Sequence, residues 1–403
     1  MMTQTKEHVY QAKAIVIGGS LAGLFTGILL HSIGWQVDIY ERSPHNLSSR
    51  GGGIVLQPEI VAAFHQANVT YEAPLGVVAN ERLYLKPDGS IAQRMAMRQT
   101  LTSWNLLYGI MRRHFPNNHY HSDKTLAKFE QTDDQVTATF TDGTQATADL
   151  LIGADGADST VRQQLLPSYQ PIYAGYIAYR GLVNEPDLPQ ETAALLTKRF
   201  AFQQFPNSHI LQYVIPGEDE SLVPGQRRFN WVWYVNYDEV TELPELLTDK
   251  TGRQRDASVP PGLMALAIEQ QMRDYASQML APPFQTLVQA TREPFVQTIR
   301  DLGIPQMAFG RVALVGDAAF IPRPHTAAGV SKGAANALSL VEALVNYNHN
   351  VRQALEIWET DQLRLGMHLW RRGQELGDRS QFTHGKERFG TQNKVSERLQ
   401  HLR

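Results

Sequence analysis

Two glycine-rich loops that lie far apart in the sequence constrain the fold of this chain most. The first, GGSLAG at residues 18–23, follows the β-branched run at residues 14–17, which is typical of a buried strand. The second begins at Gly316-Asp317, after the apolar run at residues 312–315 and before a helix start rich in small residues. Each pattern predicts a strand, a tight turn and a helix, as in an α/β fold. A long dinucleotide needs one helix N-terminus for its pyrophosphate and a second element for its other half, so the pair predicts a ligand such as FAD.

The acidic residue Glu41 strengthens the interpretation of the first loop. It follows the predicted strand at residues 36–40, where a carboxylate can accept hydrogen bonds from both hydroxyls of a ribose. Ser20 replaces the middle glycine of the G-x-G-x-x-G pattern, but it is small and its hydroxyl can donate to a phosphate. The alternative, that Glu41 is a surface residue of the following loop, stays open at this point.

Composition limits the partners of the chain. Its 403 residues suffice for two or three domains, and its net charge of −3 offers no attraction to nucleic acid or to an anionic membrane. There is no cysteine, which excludes disulfides, iron–sulfur clusters and a flavin bound through sulfur, so we expect non-covalent FAD and a cytoplasmic location. The 13 histidines include no H-x-x-x-H pair on a helix, so we expect no metal site.

One uncharged stretch, residues 14–37, is long enough to raise the question of a membrane span or a signal peptide. Gly18, Gly19 and Ser20 interrupt it, and no small-residue cleavage site follows it. A buried strand, a tight turn and a buried helix explain the same composition. We therefore expect no membrane segment here.

The middle of the chain has a different pattern of apolar residues. Alternating apolar runs at residues 173–183, 200–205, 210–215 and 229–237 predict an antiparallel sheet, and long helices are predicted at 330–347 and 351–376, before a loosely held polar tail from residue 381. The predicted fold is α/β: a Rossmann-like FAD-binding domain with an inserted antiparallel β-sheet substrate domain and C-terminal helices. The predicted boundaries are 1–75, 101–170 and 291–347 for the FAD-binding domain, 76–100 for a hairpin that joins the substrate domain, 171–290 for the substrate domain, and 348–403 for the C-terminal helices and tail.

A third motif, GADGADSTVR at residues 153–162, follows another predicted strand. Together with GGSLAG and the GDAA at residues 316–319, it occurs in the order typical of one family. From about residue 13 to residue 375 the chain resembles the FAD-dependent aromatic hydroxylases, which are group A flavin monooxygenases similar to para-hydroxybenzoate hydroxylase. The strings SRGGGIVLQPE, YAGYIAYRG, HILQYVIPG and PRPHTAAG make it most similar to the 2,6-dihydroxypyridine hydroxylase branch.

The resemblance implies a set of cofactor contacts. These contacts are with the pyrophosphate of FAD, its adenosine end, the edge of the flavin and the ribityl region. The residues are Gly18, Ser20, Leu21, Ala22, Gly23, Glu41, Arg42, Arg50, Val55, Leu56, Tyr108, Leu126, Asp155, Asp317, Gly329 and Val330. Two positions depart from the family pattern. Tyr108 stands where an arginine usually contacts the FAD phosphates, and residues 327–331 read Ala-Ala-Gly-Val-Ser in place of Gly-Gln-Gly-x-Asn. We also expect Asp317 to lie in a buried site and Glu41 at the solvent-exposed adenosine rim.

The resemblance also implies the reaction. NADH or NADPH reduces FAD, O2 forms a flavin 4a-hydroperoxide, and this hydroxylates an electron-rich aromatic or N-heteroaromatic ring. The candidate catalytic residues are His325, Pro324 and Tyr213. His325 would orient or deprotonate a ring hydroxyl, although a packing or loop-capping role remains open for it.

The substrate contacts are predicted less directly, because the pattern does not show which face of the inserted sheet is turned toward the flavin. The candidates are Tyr179, Tyr213, Trp233, Phe320 and His325, and either Arg180 or Arg199 could bind an acidic substituent. The predicted partners are a small aromatic substrate, O2 and NAD(P)H, with a homodimer as one assembly to consider.

Three alternatives stay open at this point. The WVWYV string at residues 231–235 resembles the W-x-W motif of flavin-dependent halogenases, but the Ile-Pro that should follow is missing. Plain strand alternation also explains the string, because it places Trp231, Trp233 and Val235 on one face. The other two alternatives are a different flavin oxidoreductase and a flavin-binding or ligand-binding protein without turnover.

Overall fold

The computed structural model describes residues 11–45, 47, 52–71 and 74–382. Its helices are α1 (Leu21–Ser32), α2 (Pro58–Gln66), α3 (Trp104–His114), α4 (Thr160–Leu165), α5 (Gln190–Leu196), α6 (Leu243–Leu246), α7 (Leu266–Met279), α8 (Pro282–Ala290), α9 (Gly329–Asn346) and α10 (Val351–Gln381). Its strands are β1 (Lys13–Ile17), β2 (Gln36–Tyr40), β3 (Gly53–Val55), β4 (Val77–Leu85), β5 (Ile91–Ser103), β6 (Tyr120–His121), β7 (Leu126–Gln131), β8 (Val136–Phe140), β9 (Gln145–Ala148), β10 (Leu150–Gly153), β11 (Ile172–Asn184), β12 (Arg199–Phe205), β13 (Ser208–Ile215), β14 (Arg228–Asn236), β15 (Ser258–Val259), β16 (Phe295–Asp301), β17 (Ala308–Phe309) and β18 (Val312–Leu314).

A mostly parallel sheet carries both glycine-rich loops. Its strand order is β17-β18-β10-β1-β2-β6; β1 pairs in parallel with β10 and β2, and β10 pairs in parallel with β18. Because parallel strands have their carboxyl ends at one edge of a sheet, the loops after Ile17, Gly153 and Leu314 lie side by side. The three motifs are therefore neighbours in space, and the predicted Rossmann-like architecture is confirmed.

A larger, mostly antiparallel sheet contains the inserted segment. Its strand order is β15-β16-β11-β14-β13-β12-β4-β5-β3. The parallel pairing of β12 with β4 attaches the hairpin of β4 and β5, and β3 then pairs with the end of β5. The chain thus crosses between the two sheets more than once, and the domain boundaries given above remain a prediction.

The two faces of this larger sheet have different surroundings. Side chains alternate along β14, so Trp231, Trp233 and Val235 share one face and pack with Phe284 in a hydrophobic cluster under α7 and α8. This placement agrees with plain strand alternation for the WVWYV string. Tyr234 points to the opposite face, which is turned toward the segment that follows β18.

The last helix is longer than the sequence pattern predicts. It continues through Gln381, which is fully buried, so the prediction that the chain is loosely held from residue 381 is wrong at this residue. The physical reason is tertiary contact: the Asn236 side-chain amide donates to the Gln381 carbonyl oxygen over 2.8 Å, and the ring of Phe382 packs against Tyr176. The end of α10 is thereby fixed to the larger sheet.

The uncharged stretch at residues 14–37 forms β1, α1 and the start of β2. None of the helices in the described ranges combines the length and apolarity that a membrane span requires.

Close packing of α10 on the loop before α9 gives a test of this architecture. A Cβ added at Gly373 would lie 2.7 Å from the backbone nitrogen of Arg323, which cannot move without shifting the loop. We expect Gly373→Ala to lower stability by about 1–2 kcal/mol in thermal or urea unfolding, although alanine favours a helix over glycine by about 1 kcal/mol. Gly109→Ala in α3 is the control, because its added Cβ would first meet the flexible end of Glu220. Stabilisation by Gly373→Ala would show that α10 does not sit this close to the loop.

Candidate active site

The loop after β1 is built to receive an anion. Gly18 has φ of +105°, and a Cβ there would lie 2.4 Å from the Ala154 carbonyl oxygen, so only glycine lets this loop pack on the end of β10. Ser20 caps α1 with its backbone, while its hydroxyl makes no capping hydrogen bond within the described residues. The first amides of α1, from Leu21 to Gly23, point out of the helix end, where a phosphate is favoured.

Glu41, which follows β2, is a buried hydrogen-bond partner of this loop and not a surface residue. Its side-chain oxygens accept hydrogen bonds from the backbone nitrogens of Gly19 (2.8 Å) and Ser43 (2.9 Å). Only 7% of Glu41 is exposed, so the surface alternative and the expected exposed rim position are both wrong. The carboxylate fixes the shape of the glycine-rich loop. Its neighbour Arg42 is exposed.

Aromatic side chains cover the other side of the loop. The Tyr120 hydroxyl donates to the Gly19 carbonyl oxygen over 3.1 Å and lies 3.4 Å from the hydroxyl of the buried Tyr108. The Arg112 guanidinium carbon lies 4.2 Å from the centre of the Tyr120 ring. Arg112, one turn after Tyr108, therefore supplies a cation near the position where the family pattern has its arginine. Tyr120 was missed by the sequence analysis because no motif marks it.

Three further predicted cofactor residues lie in strands or directly after one. Leu126 is buried in β7, opposite Phe140 in the three-stranded sheet of β7, β8 and β9. Val55 lies at the end of β3 and Leu56 follows it, at the border between the two sheets. Arg50 lies outside the described residues.

The second glycine-rich segment touches the first. Gly316 has φ of +61°, and a Cβ there would lie 2.9 Å from the Cβ of Ala22 in α1. Asp317 follows, and half of its side chain is exposed, so the expectation of a buried carboxylate is wrong in this structure. Its Oδ1 forms a 2.8 Å ion pair with Nζ of Lys332, a buried lysine of α9 that also hydrogen-bonds the Phe320 carbonyl oxygen. Lys332 was also missed by the sequence analysis.

The GADGADSTVR segment joins these two loops. Oδ2 of Asp155 accepts from the Val161 backbone nitrogen over 3.2 Å, while its Oδ1 is buried with no partner among the described residues. Burial raises the pKa of the Asp155 carboxyl. The fully buried Arg162 donates to the carbonyl oxygens of Ala157 (2.6 Å) and Ala318 (3.1 Å), which ties this segment to the second loop.

These features fit FAD. Glycines at 18 and 316 leave cradles that a Cβ would fill, and a helix N-terminus stands between them. Asp155, which has one buried oxygen without a partner in the described residues, lies beside Gly18. Gly329 and Val330 begin α9, and Asn336 of this helix accepts a hydrogen bond from the Gly316 backbone nitrogen over 3.0 Å.

His325 lies where the second segment meets the larger sheet. Its Nε2 is 2.9 Å from the Tyr176 hydroxyl, and its ring centre is 4.7 Å from that of Tyr234 and 5.2 Å from that of His209. Burial, with the neighbouring His209 and Arg323, lowers the pKa of His325 well below its usual value. Burial also raises the pKa of Tyr176 well above its usual value. Both groups are therefore neutral at neutral pH.

Arg323, two residues before His325, fixes this segment. Its Nε and Nη2 bind Asp301 of β16 over 2.9 and 2.6 Å, and its Nη1 binds Asp378 of α10 over 3.0 Å. Its guanidinium also lies 5.5 Å from the centre of the Tyr176 ring. Pro324 begins the 3₁₀ turn Pro324–Thr326 and is exposed.

Tyr213 and Arg180 lie on the same face of the sheet as His209. A Cβ at Gly53 would lie 2.3 Å from the Tyr213 ring, and one at Gly52 would lie 2.3 Å from Nη2 of Arg180. The Gly53 backbone nitrogen donates to Oδ1 of Asn230 over 2.9 Å. Burial raises the pKa of Tyr213 to about 12, against an opposing effect of Arg180. The predicted Tyr213 therefore belongs to one surface with residues that the sequence analysis did not select, His209 and Asn230 among them.

Three residues predicted as substrate contacts lie away from this surface. Tyr179 lies three residues after Tyr176 and Trp233 lies one residue before Tyr234, so both point to the other face of the sheet. There the Tyr179 hydroxyl lies 2.6 Å from that of Tyr237, and the Trp233 ring stacks on Tyr275. Phe320 is buried in the core, where its ring packs on Gly366 of α10. Of the two candidate arginines, Arg199 pairs with Glu81 away from this surface, over 2.7 Å.

Comparisons with known proteins agree with this geometry. A family model described as FAD binding domain-like matches residues 173–301. A 2,6-dihydroxypyridine 3-monooxygenase from Paenarthrobacter nicotinovorans is 35% identical over 356 residues, which is 87% of each chain. A 6-hydroxynicotinate 3-monooxygenase from Pseudomonas fluorescens is 25% identical over 361 residues, or 86% of each chain. The solved structure of 2,6-dihydroxypyridine-3-hydroxylase from Arthrobacter nicotinovorans is 33% identical, with a TM-score of 0.87 over 94% of this chain and 95% of that chain.

The buried imidazole of His209 predicts how stability depends on pH. Burial lowers the pKa of His209 from 6.5 to about 4. Between these values the unfolded chain takes up a proton that the folded chain does not, so this contribution to stability is complete above pH 6.5 and is lost as the pH falls toward 4. We expect the parent to lose about 2 kcal/mol more than His209→Gln between pH 7 and pH 5, measured by urea unfolding. The exposed His65→Gln should follow the parent. Equal losses in all three proteins would contradict the burial of His209.

Proposed function

Because the chain belongs to the FAD-dependent aromatic hydroxylases, the group A flavin monooxygenases similar to para-hydroxybenzoate hydroxylase, we propose that its substrate is a dihydroxypyridine or a closely related hydroxylated N-heteroaromatic ring. The enzyme is an FAD-dependent monooxygenase that consumes NAD(P)H and O2. The proposal concerns which ring it hydroxylates and which residues hold that ring.

The juxtaposition of two imidazoles, the buried His209 and the partly buried His325, carries this proposal. They lie beside the rings of Tyr176 and Tyr234, with Arg180 on the same face. Flat aromatic walls favour a flat ring, and neutral imidazole nitrogens are suitable partners for ring oxygens and a ring nitrogen. The names of the two relatives cited above both refer to hydroxylated pyridines, which supports the same class.

The cofactor is held, in this proposal, by the elements that the three motifs bring together. The amides at the start of α1 and the Ser20 hydroxyl bind the pyrophosphate, and Glu41 shapes that loop through Gly19. Asp317, oriented by Lys332, binds the ribityl region, and the start of α9 lies along the flavin. When bound, FAD supplies the ring that accepts a hydride from NAD(P)H and activates O2.

The chain's own contribution at the substrate is orientation and exclusion of water. The Tyr176 hydroxyl occupies Nε2 of His325, so Nδ1 is the nitrogen that remains for a ring substituent. The larger sheet and the end of α10 cover the ring, which protects the oxygen chemistry from water. Arg180, whose Nε is buried with no partner among the described residues, places a positive charge beside the ring.

We also propose that the enzyme works in the cytoplasm, where NAD(P)H is available, and that it forms a homodimer. The edge of β5 supports the second proposal. In the described residues, β5 pairs with β4 along most of its length, but with β3 only from Leu101 to Ser103, and Met95 and Met97 are exposed beside the free edge.

A substrate screen tests the proposed class. Purified with its FAD, the protein should release the cofactor on heat denaturation, because it has no cysteine to bind it covalently. We expect 2,6-dihydroxypyridine to stimulate NAD(P)H oxidation and to be hydroxylated, with weaker responses to hydroxynicotinates and simple phenols. The measurement is NAD(P)H consumption with product analysis. A phenol as the best substrate, or no response to any hydroxypyridine, would reject the class.

Variants of His325 test what the imidazole does. We expect His325→Ala to keep its FAD and its NAD(P)H oxidation but to divert most of the electrons to hydrogen peroxide, because the ring is no longer held in place. His325→Gln keeps an amide donor and should retain more coupling to product than the alanine variant. The ratio of product to hydrogen peroxide measures this. Coupling equal to the parent in both variants would make His325 a packing residue.

A further inference from the structure

His209 is a buried imidazole that no motif identified. It lies on β13, and only 6% of it is exposed. Its ring centre is 4.7 Å from that of Tyr234 and 5.2 Å from that of His325. It thus lies on the sheet face that the proposed function assigns to the substrate, beside His325 of the segment between β18 and α9.

One ring nitrogen of His209 is held by the end of α10. Its Nδ1 lies 2.6 Å from Oγ of Ser380 and 3.3 Å from Nε2 of Gln381, and these two side chains bind each other over 3.0 Å. An amide nitrogen can only donate, so Nδ1 is an acceptor and the neutral ring carries its hydrogen on Nε2. The C-terminal end of α10 therefore selects the tautomer of His209.

The other nitrogen is a donor without a partner. Nε2 lies on the side of the ring away from α10, and it makes no hydrogen bond to any residue in the described part of the chain. Burial lowers the pKa of His209 to about 4, so the ring stays neutral at neutral pH. Nε2 is not one of the fully buried side-chain atoms that lack a partner in the described residues, so it is accessible to a ligand, and an acceptor atom of that ligand can take its hydrogen bond.

We propose that His209 binds a second oxygen of the substrate ring through Nε2–H, and that Ser380 is the positioning residue that sets its tautomer. This rests on the proposed function, since the ligand is the hydroxylated N-heteroaromatic ring. His325 is tied to Tyr176 in the same way that His209 is tied to Ser380, so each imidazole offers one nitrogen to the ring. Two such contacts select a ring with two oxygen substituents over a ring with one, because the second donor would otherwise stay unpaired.

Binding to the oxidised holoenzyme tests this without turnover. The flavin absorbance change is titrated with 2,6-dihydroxypyridine and with 2-hydroxypyridine, which has one oxygen. We expect His209→Phe, which keeps a ring and removes the donor, to weaken binding of the first compound at least tenfold and of the second less than threefold, since a lost hydrogen bond of about 1.4 kcal/mol is a factor of ten. His209→Gln, which keeps an N–H donor, should recover most of the loss.

Ser380 variants separate positioning from folding. Ser380→Ala should weaken binding of 2,6-dihydroxypyridine selectively, and Ser380→Thr, which keeps the hydroxyl, should bind like the parent. Ser277→Ala is the matched control, because Ser277 is an exposed helix serine whose hydroxyl donates to Arg273 of its own helix and accepts from Gln289 of α8, far from His209 in the sequence. FAD content and melting temperature are recorded for each variant.

The outcomes distinguish this inference from the proposed function. If the parent does not bind 2,6-dihydroxypyridine, the proposed class fails and the inference fails with it. If the parent binds it and His209→Phe weakens both compounds equally, or neither, the inference alone is overturned. Selective loss in His209→Phe and Ser380→Ala, with recovery in His209→Gln and Ser380→Thr, supports it.

Discussion

The buried ion pair between Arg323 and Asp301 is the interaction on which the rest of the site depends. Arg323 belongs to the segment between β18 and α9, Asp301 to β16 of the larger sheet, and the additional partner Asp378 to α10. Removing one partner from such a buried pair typically costs about 3–5 kcal/mol, because the other charge stays buried without compensation. The pair therefore serves to position these elements more than to add net stability. It holds the segment that carries His325 against the larger sheet, and through Asp378 it holds α10 against that segment.

Glycines in α10 allow this helix to pack closely on the larger sheet and on the segment between β18 and α9. A Cβ at Gly377 would lie 2.6 Å from the Tyr176 hydroxyl, and one at Gly366 would lie 2.3 Å from the Phe320 ring. Without side chains at these positions the helix reaches the polar groups beneath it, and its last turn reaches His209. Residues from three distant parts of the sequence thus meet here, and each imidazole has one nitrogen fixed by a hydrogen bond.

The parallel sheet and its glycine-rich turns could be predicted from the sequence because local sequence signals determine them. Gly18 and Gly316 both adopt positive φ, and the strands that precede them pair in one parallel sheet, as their patterns indicate. Alternation along a strand does not show which of its two faces is turned toward the segment between β18 and α9. For this reason the sequence pattern could not separate Tyr179 and Trp233, which lie on one face of the larger sheet, from Tyr213, which lies on the other. The expected burial of two charged residues was also reversed. Glu41 is buried and accepts hydrogen bonds from the backbone amides of Gly19, in the loop after β1, and of Ser43, whereas Asp317 is half-exposed beside Lys332. Such contacts form only in the folded chain.

The neutrality of the two imidazoles limits the chemistry available to them. A group whose pKa is lowered by burial is a weaker base than free imidazole, so proton abstraction by His325 or His209 would place a charge where the protein disfavours one. Hydrogen bonding carries no such penalty, because it leaves both rings neutral. Arg180 has the opposite effect, because its positive charge favours negative charge on a bound ring, whereas the charge of Arg323 is compensated by Asp301 and Asp378. In the proposed site the electron-rich form of the substrate is therefore stabilised by Arg180 and oriented by the imidazoles, and orientation is the role that we propose for His325.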